Sequence, residues 1–267
     1  MNTTDGSRAA PPDRPARFVR LWSLGWGIGL ALLFVAVTAL TLAVWFADAG
    51  AETNPVVDVA FLAVGLAIAV GFASQARQPW DRVAGAQQSV LAAAALAVAG
   101  AAGARIEPFL GGLVVLLAAG VPVARHPPGA AVLRPRGGID RRLAALGLLA
   151  AAPALWVAIS ATRLARDAGP SCFLGQCAAG DRQAELAAWA LTMVLLTLLA
   201  SRGAPGWRLP AWTAGLSTLA VGAASVLLPN VAGSLGSVGG LAAVTWGAGL
   251  LAVSRRRDGG TADTKPE

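Results

Sequence analysis

The chain has 267 residues, 56% of them hydrophobic and only 13% charged, with a mean hydropathy of +0.63; that balance excludes an ordinary water-soluble core. The net charge of +7 and the sequence pI near 11.3 do not indicate nucleic acid, because the arginines lie between apolar blocks and form no basic face interleaved with aromatics. Lys265 is the only lysine, and the heavy use of Arg, Ala and Gly points to a high-GC bacterial genome.

A bilayer core of about 30 Å needs roughly 20 apolar residues in a helix, whose backbone groups are then paired within their own segment. Met1 to Arg17 is too polar and proline-rich to pack and reads as a disordered tail. The first span is expected from Leu21 to Phe46, with Trp22, Trp26 and Trp45 as interfacial anchors. Ala47-Asp48-Ala49 resembles a signal-peptide cleavage site, but the preceding apolar region of about 25 residues exceeds the roughly 7 to 15 of a cleaved signal. Span two follows from Val56 to Ser74, introduced by Asn54-Pro55, where proline suits the first turn. Spans three (Ala84 to Ala102) and four (Pro108 to Ala124) are joined by the short turn Gly103 to Glu107 and so are antiparallel neighbours. Span five runs from Leu143 to Leu164 with a kink expected at Pro153. Spans six (Glu185 to Ser201), seven (Pro210 to Leu228) and eight (Leu235 to Val253) complete the set, and the polar segment after Ser254 reads as a tail.

The expected fold is therefore all-α, a polytopic transmembrane bundle of about eight spans. Its domain plan is a tail over 1–17, a four-helix half over 18–125, a basic linker over 126–142, a second half over 143–253 and a tail over 254–267. With both termini in the cytoplasm of a cell-membrane protein, seventeen of the 21 basic residues fall inside, and only Arg105, Arg163, Arg166 and Arg182 fall outside. Cys172 and Cys177 then lie in an outer loop, where disulfides persist. Their bridge would close six residues and contribute about 2 kcal/mol in the chain-entropy model. A structural clip is the leading reading and redox use the alternative; a metal site needs more ligands, and the single histidine, His126, falls on the other side.

Comparing the halves gives matches in the same order. Asp48-Ala49-Gly50 answers Asp167-Ala168-Gly169, Ala73-Ser74 with Trp80 answers Ala200-Ser201 with Trp207, and Leu96 to Gly100 answers Leu219 to Ala223. The interval from Ser74 to Trp80 equals that from Ser201 to Trp207, and the same register aligns Asp58 with Glu185. A duplication on this pattern is a parallel 4+4 repeat about an axis along the membrane normal. Chance matching in Ala- and Gly-rich sequence is the competing account.

Ionisable residues inside a membrane are costly and become the default functional candidates. Asp58, Glu107 and Glu185 fall at the first turns of spans two, four and six, with Arg105 beside Glu107. Two readings stand: acids favoured by helix N-termini, or a cluster flanking an outer vestibule that binds a small polar or cationic solute through Asp58, Glu185, Arg105 and Glu107. Gln87, Gln88 and Ser89 form a second polar group, read as solvated at the interface or as inter-helix hydrogen bonds or a gate. Serines and threonines within the spans, Thr192, Thr197, Thr218 and Thr245 among them, are expected to bond back to their own helices.

Gly25-x-x-x-Gly29 and Gly236-x-x-x-Gly240 allow close helix approach, within the bundle or, alternatively, in a homo-oligomer or with a partner membrane protein. The sequence has no G-x-x-x-x-G-K-[ST] loop for nucleotide, no histidine pair for haem or zinc, and no His or Lys in the spans to activate a serine. No cofactor or metal and no enzymatic activity is expected. A small-solute permease or exporter is the leading class, and a non-transporting accessory or assembly subunit is the alternative.

Overall fold

The structure is a computed structural model that describes residues 14–47, 54–78, 80–125, 138–169 and 178–256. Cys172, Cys177, His126 and most of both expected tails lie outside the described residues, so the disulfide expectation is not reached. The described residues form eight α-helices and no strand. They are α1 (Arg14–Ala47), α2 (Pro55–Arg77), α3 (Val83–Ala102), α4 (Ile106–Arg125), α5 (Arg141–Asp167), α6 (Ala178–Ser201), α7 (Arg208–Leu227) and α8 (Gly236–Arg256). Each is long and apolar enough to cross a membrane. The protein is a multi-pass membrane protein built as a helical bundle.

Local chemistry sets several helix ends. The Asn54 side chain accepts from the Val57 amide at 3.4 Å, with Pro55 at the first helical position. Asp140 does the same for α5, accepting from the amides of Arg142 at 2.9 Å and Leu143 at 3.2 Å. The expected starts of α2 and α3 hold within a residue, whereas α1 and α6 both begin seven residues earlier than the apolar runs suggest, at Arg14 and Ala178. For α6 the cause is visible: its polar first two turns are buried against other charged groups, so hydrophobicity alone misses them.

Four helices, α2, α3, α6 and α7, form the centre, and α1, α4, α5 and α8 flank it with mostly exposed apolar faces. Within each half consecutive helices pack as neighbours; across the halves α3 lies against α6, α2 against α7, and α2 against α6. Flanking helices pack onto central ones through small residues, as expected where association rests on close packing and not on escape from water. A Cβ added to Gly222 of α7 would lie 2.8 Å from the Gly240 carbonyl oxygen of α8. One added to Gly247 would lie 2.7 Å from the Gly215 carbonyl oxygen, and one on Gly112 of α4 would lie 2.4 Å from the Ala97 nitrogen of α3. Gly240 thus fulfils the close-packing expectation for α8, whereas Gly236 has nothing within 4 Å among the described residues. Gly25 and Gly29 do not fulfil it for α1: neither would bring a Cβ within 4 Å of another residue, because α1 meets α2 through a different face, where Phe34 fills the space over Gly65 and Trp26 stacks on Phe72 at 6.1 Å.

Two tryptophans bridge helices through their indole N–H groups. Trp22 Nε1 donates to the Ala118 carbonyl of α4 at 3.0 Å, and Trp246 Nε1 of α8 donates to the Leu146 carbonyl of α5 at 3.0 Å. The Gln87 to Ser89 group is buried, which removes the interfacial-solvation reading. Gln88 Nε2 donates to the Ala67 carbonyl of α2 at 2.7 Å and to Thr213 Oγ1 of α7 at 3.3 Å, and Ser89 Oγ donates to the Ile68 carbonyl at 3.0 Å. These bonds tie three central helices together where carbonyl oxygens already engaged in their helices have a lone pair to spare.

Candidate functional site

Arginines gather at one end of the bundle, as at Arg125, whose guanidinium lies 4.8 Å from the Phe18 ring centroid, and Arg255, 5.3 Å from that of Trp212. The four singled-out residues gather at the other, where α2, α4, α6 and α8 begin. There the α3–α4 turn, the end of α5, the first turns of α2 and α6 and the α7–α8 loop converge on a charged junction.

Asp58 is 2% exposed, in the first turn of α2. Its Oδ1 is ion-paired with Arg182 Nη1 from α6, while Oδ2 is buried with no hydrogen-bond partner. The helix start beneath it is fixed from both sides: Asn54 Nδ2 donates to the Ala232 carbonyl of the α7–α8 loop, and Gly233 in that loop, at φ +80°, lies so close to Val57 that a Cβ would fall 2.9 Å from its Cγ2. Only a residue without a side chain fits both the conformation and the space there.

Arg105 is 1% exposed, although the sequence placed it on the flank of a hairpin. The turn preceding it is tight, with Ala104 at φ +55°, and it directs the side chain inward between α5 and α6. Arg105 Nε donates to the Ala165 carbonyl at 2.9 Å, Nη2 donates to the same oxygen, and Nε lies 3.9 Å from Asp181 Oδ1. The guanidinium rests over Gly180, whose missing side chain provides its space. Arg166 of α5 donates in the reverse sense, Nε to the Ala102 carbonyl at 2.6 Å. Arg105 Nη1 and Gln183 Oε1 are buried without partners.

Glu185 corrects an expectation. It does not open α6 but lies two turns inside it, since the helix starts at Ala178, and Asp181 is the first-turn acid. It is half-buried and sits one turn beyond Asp181 and Arg182, within the fields of both and of Glu107. Glu107 is half-buried in the first turn of α4. The structure therefore brings Asp58, Arg105, Glu107 and Glu185 to one end and inserts Asp181 and Arg182 among them. Four carboxylates face two guanidinium groups, a formal balance of −2 for these six residues.

Asp181 and Arg182 precede the apolar run of α6, so hydropathy assigns them to a loop. A signal was present: an Asp-Arg pair four and three residues before a glutamate puts all three charges on one helical face. Comparison with protein-family models, with curated proteins and with solved structures returned no match to this chain.

Proposed function

We propose that the protein is a small-solute permease or exporter of the cell membrane, with both termini cytoplasmic, and that the charged junction is its outer gate and its recognition site for a polar or cationic solute. The observation that carries this reading is that both ion pairs, Asp58 with Arg182 and Arg105 with Asp181, join the first four helices to the second four. Charged groups are expensive to bury, and a packing role alone is met more cheaply by the alanines and glycines used elsewhere in the bundle. Pairs of this kind close a path between two halves and open it when a competing charge replaces one partner. The excess of carboxylates favours a cation as that competitor.

The arrangement of the halves supports a 4+4 duplication. The neighbours α1–α2, α2–α3 and α3–α4 recur as α5–α6, α6–α7 and α7–α8, and the contact of α3 with α6 recurs as that of α7 with α2. In each half, one tryptophan also links the first and last helices. The charge bias, seventeen basic residues against four, supports placing the junction outside.

A second reading, an accessory or assembly subunit, is favoured by Gly25 and Gly29 of α1, at which an added Cβ would meet nothing within 4 Å among the described residues. A thermal-shift screen of purified protein against alkylammonium, guanidinium and choline salts separates the two. The permease reading expects one of these cations to raise the unfolding temperature in the native protein and not in Asp58→Asn or Glu185→Gln. A flat response to every cation, with a second membrane protein co-purifying in stoichiometric amount, would reject it in favour of the subunit.

A further inference from the structure

A second site begins about one helical turn, roughly 6 Å, beyond Glu185 of the charged junction, deeper in the bundle. Between α5, α6 and α8 is a cavity of about 430 Å³ with almost wholly apolar walls. It opens sideways, because α5 and α8 barely touch and the rim residues Leu149 and Trp156 are exposed. Lipid-soluble molecules reach it from the bilayer without crossing water.

Three polar groups belong to residues that line it. Trp189 and Thr218 both line it, both are more than nine-tenths buried, and neither Trp189 Nε1 nor Thr218 Oγ1 has a hydrogen-bond partner. Thr218 is exceptional in this respect: Thr192, Thr197 and Thr245 bond back to their helices at 2.7, 2.8 and 2.9 Å, as threonines in membrane helices commonly do. The third group is the Leu149 carbonyl, to which Pro153 supplies no N–H because proline has none; both residues line the cavity. Trp189 is the twelfth residue of 24 in α6 and Thr218 the eleventh of 20 in α7, so the polar groups lie near mid-span.

Their depth selects the occupant. An acyl chain has no polar atom at that level and would leave the indole N–H and the hydroxyl unpaired, each costing about 1–3 kcal/mol. A phospholipid's ester oxygens stay with its headgroup near the interface. A flat ring bearing carbonyl oxygens satisfies both donors and lies against the walls provided by Trp156, Trp189 and Trp246. We propose that this cavity binds a lipid-soluble carbonyl-bearing ring of the quinone class, with Trp189 and Thr218 as its hydrogen-bond donors. Neither donor atom is accessible in the structure, so binding requires both a rotamer change at Thr218 and a tilt of the Trp189 ring.

The test uses the purified full-length protein in detergent, with 2-methyl-1,4-naphthoquinone as probe and 2-methylnaphthalene as the same ring without oxygens. Affinity is read from the ligand-dependent rise in unfolding temperature, which does not depend on the fluorescence of the substituted tryptophan. The quinone binds saturably to the native protein, and the hydrocarbon binds at least tenfold more weakly. Thr218→Val and Trp189→Phe each weaken quinone binding about five- to tenfold, the value of one neutral hydrogen bond, and leave hydrocarbon binding unchanged. Gly239→Leu, on the cavity wall, abolishes both. Equal affinity for the two probes, indifference to Thr218→Val, or no saturable binding by a native protein that elutes as a single species would each overturn the proposal. The hydrocarbon arm guards against a variant that has merely lost its fold, since such a variant loses both ligands.

Discussion

Removing the two partners of the Asp58–Arg182 pair should have very different costs, and the asymmetry follows from their burial. The Asp58 side chain is 3% exposed and that of Arg182 is 34% exposed. Arg182→Gln leaves a carboxylate stranded inside the bundle, a change that costs about 3–5 kcal/mol when a buried charge loses its partner. Asp58→Asn instead leaves a long arginine that already reaches the surface and can extend its head to the interface, so only the attraction and a hydrogen bond are lost, about 1–2 kcal/mol. The double variant holds two neutral amides and should fall within about 1–2 kcal/mol of the native protein, giving a coupling energy above about 2 kcal/mol. Unfolding free energies from sodium dodecyl sulfate titration of protein in dodecyl maltoside, followed by intrinsic fluorescence, measure all three. The reasoning fails if Asp58→Asn costs as much as Arg182→Gln, or if the two costs simply add.

Three further outcomes are expected. Gly240→Ala places a Cβ 2.8 Å from the Gly222 carbonyl oxygen and should destabilise by about 1–3 kcal/mol as α7 and α8 part; Gly249→Ala on the same helix, with nothing within 4 Å, should change the same titration by less than about 0.5 kcal/mol. Ala104→Gly relieves a left-handed alanine at φ +55° and should stabilise by up to about 1 kcal/mol, the strain relief exceeding the entropy glycine adds to the unfolded chain. If Cys172 and Cys177 form an outer clip, an impermeant maleimide applied to intact cells should label them only after reduction, and labelling without reductant would exclude the bridge.

The bundle was legible because each span is apolar over more than the bilayer's thickness, a signal that needs no tertiary information. Span ends were legible where a cap marks them, as Asn54 and Asp140 do. They were misplaced where the helix begins in polar sequence. Residues 178–184 contain Asp181, Arg182 and Gln183, and a hydropathy reading discards them because it assumes that polar residues at a span's end face water. The structure removes that assumption by supplying partners: Arg105 from the α3–α4 turn and Asp58 from α2 neutralise the two charges within the bundle. Partner identity depends on which helices meet, and nothing in one strand of sequence states that α6 packs against both α2 and α3.

The same blindness applies to glycine. Gly25-x-x-x-Gly29 and Gly236-x-x-x-Gly240 have the same spacing, yet of these four glycines only Gly240 closely approaches another helix. Spacing establishes that a helix offers a smooth face, and the fold decides whether that face is used within the chain. A smooth face on α1 that meets no other described residue, a paired charge cluster at one end and an unpaired indole and hydroxyl at mid-span are three separate departures from what packing alone requires. Each comes from a different class of residue, so the three functional questions they raise can be tested independently.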